Sequence, residues 1–136
     1  MSNFRTVASI LACSLSLLTG FLIFPETASG QYQYSAYVAA LISQYNSGER
    51  MIEDEQRRSD RGFTPNFTSM SIGTQMKIRS IGQISKFLSW VNQAVRKNPN
   101  RSNCEEGRSY YDQLISETDI IAVRSFYTDF NRFCRR

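Results

Sequence analysis

Four carboxylates crowd one short stretch, Glu49, Glu53, Asp54 and Glu55, with Arg50, Arg57 and Arg58 among them. Paired carboxylates are the working groups of glycoside hydrolysis, where they face each other across a cleft about 5–9.5 Å apart. Here a spacing of four sets Glu49–Glu53–Arg57 and Arg50–Asp54–Arg58 along one helix surface, which makes mostly favourable ion pairs. An ion-paired, solvated face is the simpler account. A small secreted hydrolase or toxin using Glu49 or Glu53 stands as the alternative. The chain of 136 residues has no histidine, which removes the commonest general base and a common metal ligand together. A serine nucleophile would have only lysine or a carboxylate to activate it, and no G-x-S-x-G, S-x-x-K or glycine-rich phosphate loop is present. The pattern assigns no catalytic residue, no metal site and no cofactor, and points to a non-enzymatic protein.

Cysteine chemistry depends on the shape of the last third of the chain. Cys104 and Cys134 lie near the two ends of a run that reads as helix almost throughout. One straight helix would hold them roughly 45 Å apart, whereas a disulfide needs Cα atoms about 4.4–6.8 Å apart. Ser102-Asn103-Cys104-Glu105 has the form of a capping box, and Ser116-Glu117-Thr118-Asp119 repeats it more loosely. A second start signal in mid-run predicts two helices that turn at 116–118. Each cysteine then falls on the apolar stripe of its own helix, and a Cys104–Cys134 bond would clamp the open end of the hairpin. The alternatives are two buried thiols, or a continuous helix with an intermolecular bond. Two cysteines without histidine do not make an ordinary structural zinc site.

Charge supplies the sharpest feature. No acidic residue occurs from 61 to 104, while Arg61, Lys77, Arg79, Lys86, Arg96, Lys97 and Arg101 are all basic. Arg79, Lys86, Gln93 and Lys97 share one helix face, and Trp90 follows Lys86 by four residues, where a cation and an indole can stack. Arg79, Lys86, Trp90 and Lys97 are therefore the candidate binding residues. Their partner would be another protein with an acidic surface, an anionic membrane or a polyanionic glycan. An exported domain makes nucleic acid an unexpected partner. The plain alternative is a solvated face with tryptophan packed at its border.

Export itself is read from the first 30 residues. Arg5 precedes an uncharged run over 6–24, and Ala28, Ser29 and Gly30 follow as small residues before Gln31. This is the form of a signal peptide removed to leave 31–136 as a single domain, secreted or periplasmic. Two rivals remain: the run 6–24 retained as a membrane anchor, or lipidation at Cys13 within "ILAC". All three put the folded part outside the cytoplasm, because Arg5 marks the cytoplasmic side. The even cysteine count after cleavage agrees with an oxidising compartment.

The elements that must carry these groups follow from periodicity. Tyr34, Val38, Leu41, Tyr45, Gly48 and Ile52 predict a helix over 34–58, weakened at Gly48, where a kink or break could fall. A loop follows through Gly62, Pro65 and Asn66. Ile81, Ile84, Leu88, Val91 and Val95, widened by Phe87 and Ala94, predict a helix over 71–97 that ends before Pro99. Cys104, Gly107, Tyr111, Leu114 and Ile115 give the third stripe, and Ile120, Val123, Tyr127, Phe130 and Cys134 the fourth. Asn66-Phe67-Thr68 and Asn100-Arg101-Ser102 are glycosylation sequons. The expected fold is all-α, a small antiparallel bundle of about four helices with one disulfide. Aromatics at Tyr111, Phe126, Tyr127, Phe130 and Phe133 are wide for one stripe. They read as core, or alternatively as a groove in an apolar-ligand carrier.

Overall fold

The computed structural model describes residues 32–135. The expected signal peptide, its reading as an anchor and the lipidation reading at Cys13 all fall outside the described residues. Within them the chain is all-helical: α1 (Ser35–Asp60), α2 (Phe67–Lys97), α3 (Arg101–Glu117) and α4 (Ile121–Phe133). The four make a helical bundle. α1 packs most extensively along α2, α4 lies mainly on α2, and α3 touches all three.

α1 runs through Gly48 without a break. Its stripe from Tyr34 through Val38, Leu41, Tyr45 and Gly48 is buried as the spacing requires, and Ile42 and Glu55 join it. Gly48 is present for contact rather than for flexibility. A Cβ placed there would come 2.6 Å from the Gly73 carbonyl oxygen, and a Cβ on Gly73 would come 2.7 Å from the Gly48 oxygen. The two helices cross with backbone against backbone, and only glycine on both sides leaves room. Beside this crossing the Lys77 ammonium donates to Glu49 at 2.7 Å.

α2 begins one turn earlier than the apolar stripe predicts. Asn66 is its N-cap and accepts from the Ser69 N–H at 3.1 Å, satisfying one of the free donors of the first turn. The Glu55 carboxylate accepts from the Asn66 N–H at 2.6 Å, so the end of α1 fixes the start of α2. Gly62 turns the chain between them with φ +84°, a left-handed conformation that disfavours any side chain.

The last two helices are joined by the expected bond but differ from expectation in their caps. Cys104 and Cys134 are bonded, with Cα atoms 5.5 Å apart. The N-cap of α3 is Asn100, accepting from the Asn103 N–H at 2.8 Å, not Ser102. Glu105 reaches Arg101 at 2.7 Å instead of returning to a cap. The break between α3 and α4 is real, but no capping box makes it. Thr118 closes α3, its hydroxyl donating to the Leu114 carbonyl at 2.7 Å. Asp119 accepts from the Tyr45 hydroxyl, and Ile120 begins α4 without a side-chain cap. Tertiary contact from α1 holds the turn.

Two buried polar groups knit the helices. Asn92 donates to the Phe126 carbonyl at 3.1 Å and accepts from the Tyr111 hydroxyl at 2.6 Å, joining α2, α3 and α4. Glu106 is 1% exposed and accepts from the Tyr110 hydroxyl at 2.5 Å. The Tyr110 oxygen in turn accepts from the Tyr34 N–H at 3.1 Å, which ties the start of α1 to α3.

Candidate docking surface

Arg79, Lys86 and Lys97 are exposed along α2. None of the three forms an ion pair among the described residues. Their register follows from helix geometry, seven and eleven residues apart being close to whole turns. The remaining cations of the acid-free segment divide. Lys77 is engaged by Glu49 and Arg101 by Glu105, while the Arg96 guanidinium lies over the Phe133 ring, 5.3 Å from its centroid. Trp90 shares the ridge by register but is half-buried. Its ring packs edge-on against Tyr34 at 5.0 Å and beside Phe87 at 5.9 Å, so the start of α1 fixes its orientation.

The fold also gathers cations that sequence reading kept apart. α2 ends, α3 begins and α4 ends at one pole of the bundle, where the disulfide closes it. A cleft of about 450 Å³ there is lined by Pro99, Arg101, Glu105, Arg108, Phe133, Arg135 and the two bonded cysteines. Phe133 also lines a second cleft, of about 220 Å³, with Arg96, Asn92, Gln93, Phe126 and Asp129. Arg108 donates to the Cys134 carbonyl at 2.7 Å, so this guanidinium is held in place. Glu105 and Asp129 each answer one arginine, Arg101 at 2.7 Å and Arg132 at 3.5 Å. The hydrogen bond from Arg101 to Glu105 raises the guanidinium above its ordinary value. Arg96, Lys97, Arg108 and Arg135 add positive charge that neither carboxylate pairs with.

The carboxylates of α1 disperse around their helix. Glu49 is held by Lys77, Glu53 and Asp54 share Arg57 at 4.0 and 2.6 Å, and Glu55 turns inward to Asn66. Neither cleft at the basic pole is lined by them. The aromatics of α3 and α4 divide as well. Tyr111, Tyr127 and Phe130 pack on one another with centroids 5.0–6.0 Å apart, while Phe126 and Phe133 face the second cleft. Among the described residues no group of three or more acidic or cysteine side chains is placed to hold a metal ion, and no helix is long and apolar enough to cross a membrane.

Neither a protein-family model, nor a curated protein, nor a solved structure matches this chain.

Proposed function

We propose that this chain is an exported, non-enzymatic binding protein. In this reading residues 1–30 are removed, the four helices run antiparallel, and the domain docks on an acidic partner or an anionic surface through the basic side of α2. The observation that carries it is the set Arg79, Lys86 and Lys97, exposed on an element that has no acidic residue along its length. At the pole, Arg96, Arg108 and Arg135 extend the same field around the disulfide. Unpaired surface cations hold long-range attraction that salt screens, with a Debye length of about 8 Å at physiological ionic strength.

Retention on an anionic matrix and on vesicles containing acidic lipid, across a salt series, tests the reading. The native chain is expected to bind at low salt and elute as salt rises. Lys86→Glu with Lys97→Glu is expected to elute earlier and with a shallower salt dependence. An unchanged elution position for the double variant would remove the proposal. Binding to vesicles without binding to an acidic protein column would select the membrane over a protein partner.

A further inference from the structure

The helix contacts stop unevenly, and what they leave uncovered has a pattern. Asp119 accepts from Tyr45, and Asn46 donates to the Glu117 carbonyl at 3.2 Å. The turn between α3 and α4 therefore lies level with the middle of α1. Lys77 stands over that same Tyr45 ring, 5.2 Å from its centroid, which puts the turn level with Lys77 on α2. Beyond this point α1 and α2 continue as a two-helix arm, joined at the Gly48–Gly73 crossing and at Glu55–Asn66. The hydrogen bonds that the α3–α4 turn makes to α1 are at Tyr45 and Asn46, short of that crossing.

α4 covers a definite stripe of α2, touching Asn92 through the Phe126 carbonyl and Arg96 through Phe133. Followed back at helical spacing, that stripe passes Ser85 and then Ile78, Thr74, Ser71 and Phe67. Past the start of α4 it is bare. Ile78 is 64% exposed and Phe67 70%, with Phe63 at 63% in the adjoining loop and Ile121, at the first turn of α4, at 85%. These are four of the five large apolar side chains exposed in the described residues. The fifth, Ile72, points away from the stripe. Phe67 and Ile78, with Phe63 in the adjoining loop, expose roughly 400 Å², within the range of the largest apolar patch on a typical monomer.

We propose that this arm is the interface of a symmetric dimer of the chain. The order Phe67, Ser71, Thr74, Ile78 is spaced four, three, four, and is symmetric about the link between Ile72 and Gly73. A two-fold contact between antiparallel copies of α2 therefore sets Phe67 of each copy against Ile78 of the other. Ser71 meets Thr74 at the centre, where small side chains let the helices approach. An isologous interface demands this self-complementarity. The stripe carries no charge, so two copies meet without like-charge repulsion and an acidic partner gains nothing from it. The exposed apolar side chains supply about half of the about 800 Å² per partner of an ordinary stable interface. The pairing adds the missing layer and completes a four-helix arrangement at the arm. It is independent of the basic surface, which stays free.

Sedimentation of the purified, disulfide-bonded chain up to about 100 μM tests this. A dimer is expected. Ile78→Arg, which puts a charge into both halves of the contact, is expected to weaken it on the order of 100-fold. Helix content and melting of the monomer should stay unchanged, since Ile78 is exposed there. Thr74→Cys should cross-link into a covalent dimer with a short bismaleimide, while Ser43→Cys, exposed on α1 away from the arm, should not. A monomer at every concentration overturns the proposal. So does a dimer that survives both Ile78→Arg and Phe67→Arg.

Discussion

Alanine at Gly48 should destabilise this protein, although alanine for glycine inside a helix ordinarily stabilises by about 1 kcal/mol. The sign turns on what the new methyl meets. At Gly48 it falls 2.6 Å from the Gly73 carbonyl oxygen, with Lys77 and Met76 side-chain carbons at 3.1 Å. A carbonyl inside α2 cannot turn aside as a lysine tip can, so the helices must move apart at their crossing. Overpacking of this kind costs about 1–3 kcal/mol, and spreading the crossing also loosens Glu49–Lys77. The expected net change is a loss of about 1–2 kcal/mol after the helix-propensity gain is subtracted. Gly82 is the internal control. It lies in the same helix as Gly73, and a Cβ there meets nothing within 4 Å, so Gly82→Ala should gain about 0.5–1 kcal/mol. Urea unfolding of the oxidised protein reads both, and in melting each kcal/mol corresponds to about 4–8 °C at this size. Gly48→Ala with Gly73→Ala should cost less than the sum of the singles, because one separation relieves both clashes. If Gly48→Ala proved as stabilising as Gly82→Ala, the close crossing would be refuted.

Replacing both bonded cysteines by serine removes closure across 30 residues, expected to cost about 3.5 kcal/mol in the chain-entropy account; urea unfolding with an unshifted midpoint would show that the pole is held without the bond. Asn92→Ala strands the Tyr111 hydroxyl and the Phe126 carbonyl, and a loss of about 2–4 kcal/mol is expected by the same measurement; a loss under about 0.5 kcal/mol would mean the three helices do not depend on it. Burial first, and a hydrogen bond to a carboxylate second, push the phenols of Tyr45 and Tyr110 well above their ordinary 10.0, and burial raises Tyr37 and Tyr111 too. Folded values above unfolded ones mean that this stability is whole below pH 10 and is lost as pH rises from there toward the folded values. Phenolate absorbance should therefore rise for Tyr45, Tyr110 and Tyr111 only as helical circular dichroism falls, and their ionisation in a fully helical protein would contradict the burial. At the acid end, the Tyr45 hydrogen bond lowers Asp119, so its contribution is present above the usual carboxylate range and fades as pH falls through the folded value; Asp119→Asn should flatten that limb of the stability profile.

Period carried most of the fold in the sequence. Val38, Leu41, Leu88, Val91, Val123 and Phe130 lie where a repeat of three and four placed them, and Cys104 and Cys134 share those stripes with them. Caps were harder. Asn66 and Asn100 drew notice as sequons, and both are N-caps. Ser102 drew the start of α3 because a glutamate follows three residues later, yet Glu105 prefers the nearer guanidinium of Arg101. Glu106 was invisible as a core residue, since a glutamate is almost never buried unless paired. Its partner lies one helical turn away in Tyr110, whose own burial depends on Tyr34 far along the chain. The basic ridge of α2 could be read because its members share one helix. The pole around Arg108 and Arg135 could not, because three helix ends must first be brought together. Gly48 was legible only as a weak point, as a close crossing needs two helices.

The Cys104–Cys134 bond gives the molecule a mechanical shortcut. A pull applied from beyond Cys134 enters the disulfide and crosses directly to Cys104, so α3 and α4 between the cysteines carry no load while the bond is intact. Stretching the oxidised protein pays out chain only as far as residue 104. Reduction would add the 30 residues between the cysteines, roughly 100 Å of extra contour length. Redox state thus sets how far this domain can be drawn out between its two ends.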